Sequence, residues 1–293
     1  MDTTASSGSV VRSGRSWFQR TFVTPRAARI TAPVLFLVAW QLRLMDRFLG
    51  LLFPGRTESA LLPTPAEVVE AMWEQLLDGR LLEAFSVSLL RLALGFALAL
   101  LVGSIVGLAM GLSSRIEAML HDFVIVGLTF PYLIWGLLVA MWFGYGTIGP
   151  VLVVFIAGLP YVILNMSEGV HDVSKELRDM AAAYEIPRDR VMRHLILPSL
   201  SPFFFASLRY GLANGWKGLI LAEVFAATSG AGWHITSMRD YGDFAGVVGF
   251  AIYFALFSIV VERLVFGRLS RRVFRWRPAT GRDVSEPPEV AAP

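Results

Sequence analysis

Long apolar stretches, separated by short segments rich in charge, recur along this sequence. A helix that crosses the hydrocarbon core of a membrane needs about 20 mostly apolar residues. Six stretches approach or meet this length, at residues 30–44, 92–112, 123–143, 148–166, 203–222 and 244–261. The pattern therefore predicts an all-α membrane protein with six transmembrane helices. The first is the shortest, because Arg43 lies near its end and Asp46 and Arg47 follow it.

The composition also indicates a lipid-facing surface. Hydrophobic residues make up 55% of the chain and the mean hydropathy is +0.59. Charged residues make up 17%, below the roughly 25% typical of soluble domains. The net charge of +3 reflects arginines in the two tails beside apolar stretches, which favours membrane topology over nucleic-acid binding. The sequence has no cysteine, so disulfide and thiolate chemistry are excluded.

Lysine and arginine flank the predicted spans unevenly, and these residues are retained preferentially on the cytoplasmic side. Five arginines precede the first span, and six lie in the tail after residue 267. The segment between spans four and five carries five basic residues, whereas the segment between spans five and six carries only Arg239. Both termini and the former segment are therefore predicted to be cytoplasmic. This gives four regions: a cytoplasmic tail (1–29), the first span with an external linker (30–61), a core with spans two to six (62–266), and a basic, disordered cytoplasmic tail (267–293).

The external linker ends in Leu62-Pro63-Thr64-Pro65, after which apolar residues recur at helical spacing. Thr64 can cap a helix and Pro65 can occupy its first position, where the N–H that proline lacks would have no partner. We expect an amphipathic helix there, lying at the membrane surface.

Small residues recur every four positions in the second span, at Gly95, Ala99, Gly103, Gly107 and Gly111. Residues with this spacing form one stripe along a helix and allow another helix to approach closely. The stripe indicates either packing within the chain or contact with another subunit.

Prolines fall inside two of the predicted spans, Pro131 in the third and both Pro150 and Pro160 in the fourth. A proline in a helix interior removes a hydrogen bond and bends the helix. All three are predicted to bend their spans, and bent helices can shape a cavity.

The fifth span carries two cations, Arg209 and Lys217. If the span starts near Pro202 on the cytoplasmic side, a rise of about 1.5 Å per residue places Arg209 roughly 10 Å deep and Glu223 near the outer interface. A charge at such depth faces water, a counter-ion or a pore. Either Lys217 faces a translocation path and favours an anionic solute, or it snorkels outward or pairs with an acid from another helix.

The predicted cytoplasmic segment between spans four and five contains two helix starts. Ser174 can cap a short helix over residues 175–184, and Pro187 can open a second helix that extends to Pro198. Apolar side chains fall on one face of the first helix: Leu177, Met180, Ala181 and Tyr184. This helix either docks into a groove on a partner protein or simply connects two spans.

The same segment resembles the cytoplasmic loop of the inner-membrane permeases of ATP-binding-cassette importers, the binding-protein-dependent transport permease family. That loop reads Glu-Ala-Ala, three residues, Gly, nine residues, then Ile-x-Leu-Pro. The matching positions here hold Asp179, Met180, Ala181, Glu185, Leu195, Leu197 and Pro198. Glu185 replaces the family's glycine. If that glycine is left-handed and ends the first helix, a glutamate there costs about 1 kcal/mol or forces a different turn.

Over residues 62–266 the sequence resembles most closely the branch that imports nitrate, aliphatic sulfonates and taurine. The shared features are Leu62-Pro63-Thr64-Pro65, Arg91 with Gly95-Phe96, Trp142-Phe143-Gly144-Tyr145-Gly146, Ala213 to Trp216 with Glu223, and Gly230-Ala231-Gly232. One departure is Leu137, where that branch often has a second proline.

The resemblance implies a non-catalytic permease subunit of the bacterial inner membrane, with a second permease copy, ATP-binding-cassette ATPase subunits and an external solute-binding protein as partners. It assigns ATPase coupling to Asp179, Met180, Ala181, Ala182, Glu185, Leu195 and Pro198. Candidates for the translocation path are Pro131, Trp135, Trp216, Lys217 and Glu223. The expected solute is small and anionic, of the nitrate, sulfonate, taurine or aromatic-acid type, and no cofactor or metal is expected.

Other functional classes find less support in the sequence. The chain lacks the Gly-x-x-x-x-Gly-Lys-Ser/Thr phosphate loop, so ATP must be hydrolysed by a partner. Its four histidines show no metal-ligand spacing, which disfavours a membrane enzyme. The alternative is an ion-coupled secondary transporter, which typically uses buried acids as ion sites. Spans two, three, four and six contain none.

Overall fold

The computed structural model of the chain describes residues 38, 40–42, 63–266 and 268. All regular secondary structure in these residues is helical. The predicted tail at 1–29, most of the predicted first span, the linker up to residue 62 and nearly all of the carboxyl tail lie outside the described residues. The chain divides into two compact units, Met1–Glu70 and Ala71–Pro293.

Ten helices, numbered in chain order, occupy the continuous range 63–266. They are α1 (Pro65–Leu77), α2 (Arg80–Leu112), α3 (Ser114–Thr129), α4 (Tyr132–Phe143), α5 (Ile148–His171), α6 (Lys175–Ala183), α7 (Arg188–Ser199), α8 (Ser201–Ala226), α9 (Ala231–Asp240) and α10 (Phe244–Val260). A π-helical turn, Met192–Ile196, lies inside α7, and another, Val261–Phe266, follows α10.

The start of α1 is fixed by a reciprocal pair of hydrogen bonds. The backbone N–H of Glu67 donates to Thr64 Oγ1 at 3.4 Å, and the backbone N–H of Thr64 donates to Glu67 Oε2 at 2.7 Å. This capping box satisfies two N–H groups that the first helical turn leaves without partners. The predicted roles of Thr64 as cap and Pro65 as first helical residue are confirmed.

The helix α5 is the centre of the packing, because α2, α3, α4 and α8 all contact it. The small-residue stripe of α2 faces α5. A Cβ atom added at Gly95 would lie 2.5 Å from the carbonyl oxygen of Val151, and one at Gly107 would lie 2.5 Å from that of Ile163. Ala99, between them, is fully buried. The stripe therefore serves packing within the chain, the first of its two predicted interpretations.

The outer face of α2 is apolar and exposed. Leu94, Leu101 and Ile105 each leave more than half of their side chain accessible. Lipid tails are the solvent in which such a surface is stable, because they replace water without cost to apolar groups.

The predicted third span is divided into two helices. α3 and α4 meet at Phe130 and Pro131 with an angle of 97° between them. Pro131 precedes α4 and has no N–H to continue the hydrogen-bond ladder of α3. The predicted bend is confirmed, but it is so sharp that residues 123–143 do not form the single straight span that the hydropathy indicated.

The two prolines of α5 differ in their effect. Pro160 lies inside the helix, which continues past it to His171. Pro150 is the third residue of α5, and the N–H groups of the first turn have no partner within a helix. The prediction that Pro150 removes a helical hydrogen bond and bends the span was therefore wrong, because proline at this position removes no hydrogen bond within the helix.

Length and apolar composition allow α2 and α5 each to cross a membrane. Two further crossings result if each bent pair of helices forms one broken span. These pairs are α3 with α4, and α7 with α8, which meet at a 52° bend. α10, with 17 residues, is a shorter apolar helix. The described residues thus account for two to four of the six predicted spans by this measure.

Candidate functional site

The segment between α5 and α8 forms two short helices, as the sequence predicts. Ser174 Oγ accepts a hydrogen bond from the backbone N–H of Leu177 at 3.3 Å and so caps α6. Pro187 stands immediately before α7. Both predicted helix starts are confirmed.

Glu185 ends α6 in the left-handed conformation, with φ of 50°. Its N–H donates to the carbonyl of Ala182 at 3.0 Å, and the N–H of Ile186 donates to the carbonyl of Ala181 at 2.9 Å. These two bonds define a Schellman motif, in which the left-handed position usually holds glycine. Of the two outcomes expected for a glutamate here, the chain keeps the turn and accepts the strained backbone.

An apolar groove of about 580 Å³ lies between α6 and α7. We call it the α6–α7 groove. It is lined by Leu177, Met180, Ala181, Tyr184, Glu185, Ile186, Pro187, Arg190, Val191, His194 and Leu195. Met180 is 50% exposed and Tyr184 is 77% exposed. Exposed apolar side chains gathered in one place are typical of a surface that binds another protein.

The structure brings together only some of the predicted coupling residues. Met180, Ala181, Glu185 and Leu195 line the α6–α7 groove. The other three, Asp179, Ala182 and Pro198, are exposed outside it.

A second groove, of about 360 Å³, lies between α2, α8 and α10. We call it the α8 groove. It is lined by Leu89, Leu92, Arg209, Leu212, Ala213, Trp216, Lys217, Phe254, Phe257, Ser258, Val261 and Phe266. The α8 residues in this set recur three or four positions apart, so a single face of α8 forms one side of the groove.

The α8 groove contains two of the predicted path residues, Trp216 and Lys217. Lys217 is exposed, and no carboxylate in the described part of the chain pairs with it. Trp216 is 8% exposed, and its ring stacks on Phe254 with the ring centroids 4.9 Å apart. Of the alternatives for Lys217, pairing with an acid from another described helix is not observed.

Pro131 and Trp135 lie elsewhere, at the break between α3 and α4. The ring of Trp135 is 4.9 Å from that of Phe130, and Trp135 packs against a buried cluster formed by Val139, Val153 and Ala222. Pro131 is exposed. The five candidates for the path therefore lie in three separate places: Trp216 and Lys217 in the α8 groove, Pro131 and Trp135 at the break, and Glu223 in a buried network.

Glu223 is fully buried and forms an ion pair with Arg91, which is 1% exposed. Arg91 Nη1 donates to Glu223 Oε1 at 2.8 Å, and Ser88 Oγ donates to Glu223 Oε2 at 2.8 Å. The backbone N–H of Gly232 donates to Glu223 Oε2 at 2.9 Å. Its enclosed position favours a structural role for Glu223 over contact with a solute in this conformation.

The loop between α8 and α9 completes this buried network. Arg91 Nη1 donates to the carbonyl of Ser229 at 2.6 Å and Arg91 Nη2 donates to Ser229 Oγ at 2.8 Å. Gly230 has φ of 100°, and a Cβ atom there would collide with the Glu223 carboxylate. The network therefore requires a residue without a side chain at position 230.

Sequence reasoning missed the pairing of Arg91 with Glu223. Both residues were noted as points of resemblance, yet they are 132 positions apart and nothing local relates them. The available signal was that each charge adjoins a long apolar stretch, where an unpaired charge is costly. Arg91 directly precedes the predicted second span, and Glu223 directly follows the predicted fifth.

Comparison with known proteins identifies the family. The sequence pattern described as the binding-protein-dependent transport system inner membrane component matches residues 89–275, well over half of the chain. The chain belongs to this permease family. The predicted family is thereby confirmed, and its members are inner-membrane transport components.

Curated relatives of this permease are transport permeases of the predicted branch. It is 30% identical to the taurine transport system permease protein TauC of Escherichia coli (strain K12), over 73% of this chain and 80% of TauC. It is 29% identical to the permease protein SsuC of Bacillus subtilis (strain 168), over 76% of this chain and 80% of SsuC. It is 26% identical to the nitrate import permease protein NrtB of Synechococcus elongatus (strain ATCC 33912 / PCC 7942 / FACHB-805), over 89% of this chain and 95% of NrtB.

Proposed function

We propose that this permease is the membrane subunit of an ATP-driven importer for a small anionic solute. An ATP-binding-cassette ATPase hydrolyses the ATP, and an external solute-binding protein delivers the solute. The observation that carries the proposal is the α6–α7 groove, an exposed apolar surface on the segment that resembles the ATPase-binding loop of the family. The relatives TauC and NrtB support transport of an anion, because their names refer to taurine and nitrate.

Docking of the ATPase at the α6–α7 groove is favoured by the chemistry of its surface. Leu177, Met180 and Tyr184 leave 44%, 50% and 77% of their side chains exposed. Burial of such side chains under a partner is favourable because it removes apolar area from water. In this proposal Asp179, Ala182 and Pro198, which are exposed outside the groove, contact the rim of the ATPase surface.

The way in which the helices are joined supports a mechanical role for this segment. α7 leads into α8 across a 52° bend, with Leu200 as the link. α8 carries Lys217 and Glu223, so a displacement of α7 moves the helix that lines the α8 groove. We propose that closure of two ATPase subunits on ATP moves α6 and α7 and switches the permease between inward-open and outward-open states.

The proposed topology has six spans, with the first near residues 30–44 and both termini in the cytoplasm of a bacterial cell. The permease acts with a second copy of itself, and the path for the solute includes Trp216 and Lys217. Pro131 and Trp135 contribute through the sharp break between α3 and α4, which gives the path its shape. Glu223 contributes indirectly, since its ion pair with Arg91 ties α8 to α2.

Copurification with the candidate ATPase tests the proposal. The permease is co-expressed with that ATPase as wild type, as Met180→Glu and as Ala183→Glu. Met180 lines the α6–α7 groove, whereas Ala183 is exposed on the same helix outside the groove. A charge placed in the groove must lose its water when the ATPase docks, so Met180→Glu is expected to abolish copurification and Ala183→Glu to retain it.

Two results would contradict this assignment. One is a wild-type permease that binds no ATPase from its own organism. The other is a Met180→Glu variant that copurifies as well as Ala183→Glu, which would leave the α6–α7 groove without a role in docking. The thermal unfolding midpoint of each variant shows whether the helices themselves stay folded.

A further inference from the structure

Glu185 holds a backbone conformation that elsewhere in the described part of the chain is left to glycine. Its φ is 50°, and the other described residues with positive φ are Gly79, Gly144, Gly230 and Gly242. A side chain in the left-handed region is strained, because its Cβ crowds the backbone. Strain of this kind is concentrated at functional sites, where the side chain contributes what glycine cannot. The carboxylate of Glu185 therefore needs an explanation of its own.

The turn at the end of α6 makes no use of that carboxylate. The two hydrogen bonds of the Schellman motif join backbone groups only. Across residues 63–266, no hydrogen bond or ion pair links the carboxylate to another side chain, and this includes Arg190, which lines the same groove. The described fold thus gives no internal reason for a glutamate at this position.

The carboxylate also lies at the unfavourable end of α6. The helix dipole is negative at the carboxyl end of a helix, which favours a cation there and disfavours an anion. The last turn of α6 contains no basic residue that could offset this. A cation that approached Glu185 from outside the chain would be attracted by the carboxylate and by the end of the helix together.

The surroundings of Glu185 match the chemistry of a basic side chain. Glu185 is exposed and lines the α6–α7 groove with the exposed side chains of Met180 and Tyr184. A guanidinium group can form two parallel hydrogen bonds to a carboxylate and can lie flat on an aromatic ring. A lysine would bring its charge on an apolar stem that also suits the groove. Charge complementarity therefore selects a cationic side chain of the partner protein.

We infer that Glu185 binds a basic side chain of the ATPase when the two proteins dock, and that this ion pair helps the permease to select its own ATPase. The inference rests on the proposed function, because it takes the α6–α7 groove as the docking surface. It goes further by assigning charge recognition to a single residue, at a position where the chain departs from the family's glycine. Apolar burial holds the complex together, whereas the ion pair decides which ATPase is accepted.

Binding of the candidate ATPase to the permease in nanodiscs tests the inference by biolayer interferometry. Glu185→Gln removes the charge and keeps the length of the side chain, so the affinity should fall about tenfold at about 50 mM NaCl. The difference from wild type should shrink at about 300 mM NaCl, because salt screens charges at a protein surface. As the matched control, Glu176→Gln removes another exposed acid of α6 that does not line the groove, and should change the affinity less than about twofold.

A second variant, Glu185→Gly, separates recognition from folding. Glycine relieves the left-handed strain, so the thermal unfolding midpoint should rise. The affinity for the ATPase should nevertheless fall about tenfold, as for Glu185→Gln. A residue with a structural role alone would not move stability and affinity in opposite directions. A Glu185→Gly permease that binds the ATPase as tightly as wild type would overturn the inference.

Cross-linking identifies the side chain that meets Glu185. The chain has no cysteine, so Glu185→Cys carries a single thiol to which a benzophenone maleimide is attached before the ATPase is added. Illumination should link this position to an ATPase peptide that contains arginine or lysine, and mass spectrometry locates the peptide. Replacing that basic residue by glutamate should restore most of the affinity that Glu185→Arg loses. A linked peptide without a basic residue, or a link to a second copy of the permease, would overturn the inference.

The remaining outcomes separate the ion pair from the importer function itself. If Met180→Glu abolishes docking but Glu185→Gln binds as wild type does at both salt concentrations, the inference fails and the importer function stands. If Glu185→Gln and Glu176→Gln weaken binding equally, the effect is one of net charge, and the inference is overturned. If the wild-type permease binds no ATPase, the importer function fails and the inference fails with it.

Discussion

Replacing Arg91 with leucine removes the cationic half of the ion pair that joins α2 to α8. Glu223 would then remain fully buried with Ser88 Oγ and the N–H of Gly232 as donors but without its counter-charge. Removing one partner of a buried pair costs about 3–5 kcal/mol, because the other charge stays behind uncompensated. The carbonyl and hydroxyl of Ser229 would lose their donor as well.

The thermal unfolding midpoint of the detergent-solubilised permease measures this effect. Arg91→Leu is expected to lower the midpoint on the order of 10 °C. The double variant Arg91→Leu with Glu223→Leu removes both charges and should recover a large part of that loss, because no buried charge is left unpaired. The exposed pair of Arg239 with Asp240 provides the control, and Arg239→Leu should shift the midpoint little.

Two results would refute this reasoning. An Arg91→Leu variant that unfolds at the wild-type temperature would show that the pair does not hold α2 to α8. A double variant no more stable than Arg91→Leu would show that the loss comes from packing or from the Ser229 contacts, not from the stranded carboxylate.

Three further predictions concern the backbone and one histidine. Glu185→Gly relieves the left-handed strain at the end of α6 and should stabilise the permease by about 1 kcal/mol, whereas the control Ala183→Gly should destabilise it by a similar amount. The thermal unfolding midpoints of the two variants test this. If both midpoints shift equally from the wild-type value, the backbone at Glu185 is not strained. Gly107→Ala places a Cβ against a backbone oxygen of α5 and should lower the free energy of unfolding by about 1–3 kcal/mol, whereas the Cβ of Gly146→Ala meets open space. Equal unfolding midpoints for the two variants would contradict the close packing of α2 on α5. Burial, and to a smaller extent the nearby Arg80, lowers the pKa of His234, so the folded protein favours the neutral imidazole. The stability of the folded protein should therefore fall as the pH drops below about 6.5. A His234→Asn variant should lose less stability than the wild type between pH 7.5 and pH 5.5, and an equal loss would contradict this reasoning.

Local sequence signals determined most of the helix starts. Thr64 with Glu67 and Ser174 with the N–H of Leu177 form the capping contacts that their spacing predicts, since a cap depends on residues only three positions apart. The left-handed residue at Glu185 was foreseeable for the same reason, because a Schellman motif involves only the last turn of α6. The long apolar stretches likewise revealed α2, α5, α8 and α10 in outline.

Interactions between distant positions required the tertiary structure. The stripe of Gly95 and Gly107 predicted close packing, but only the fold shows that its partner is α5. Arg91 and Glu223 were visible as separate charges, and only the fold joins them. The 97° turn at Pro131 exceeds what hydropathy can indicate, because an apolar stretch has the same mean hydropathy whether its helix is straight or broken. The sequence by itself thus determined the long apolar helices in outline, the caps of α1 and α6, and the family, since these depend on neighbouring residues and on overall pattern. The tertiary structure decided which charges meet, which faces pack and where the grooves lie, because these depend on contacts between helices far apart in the chain.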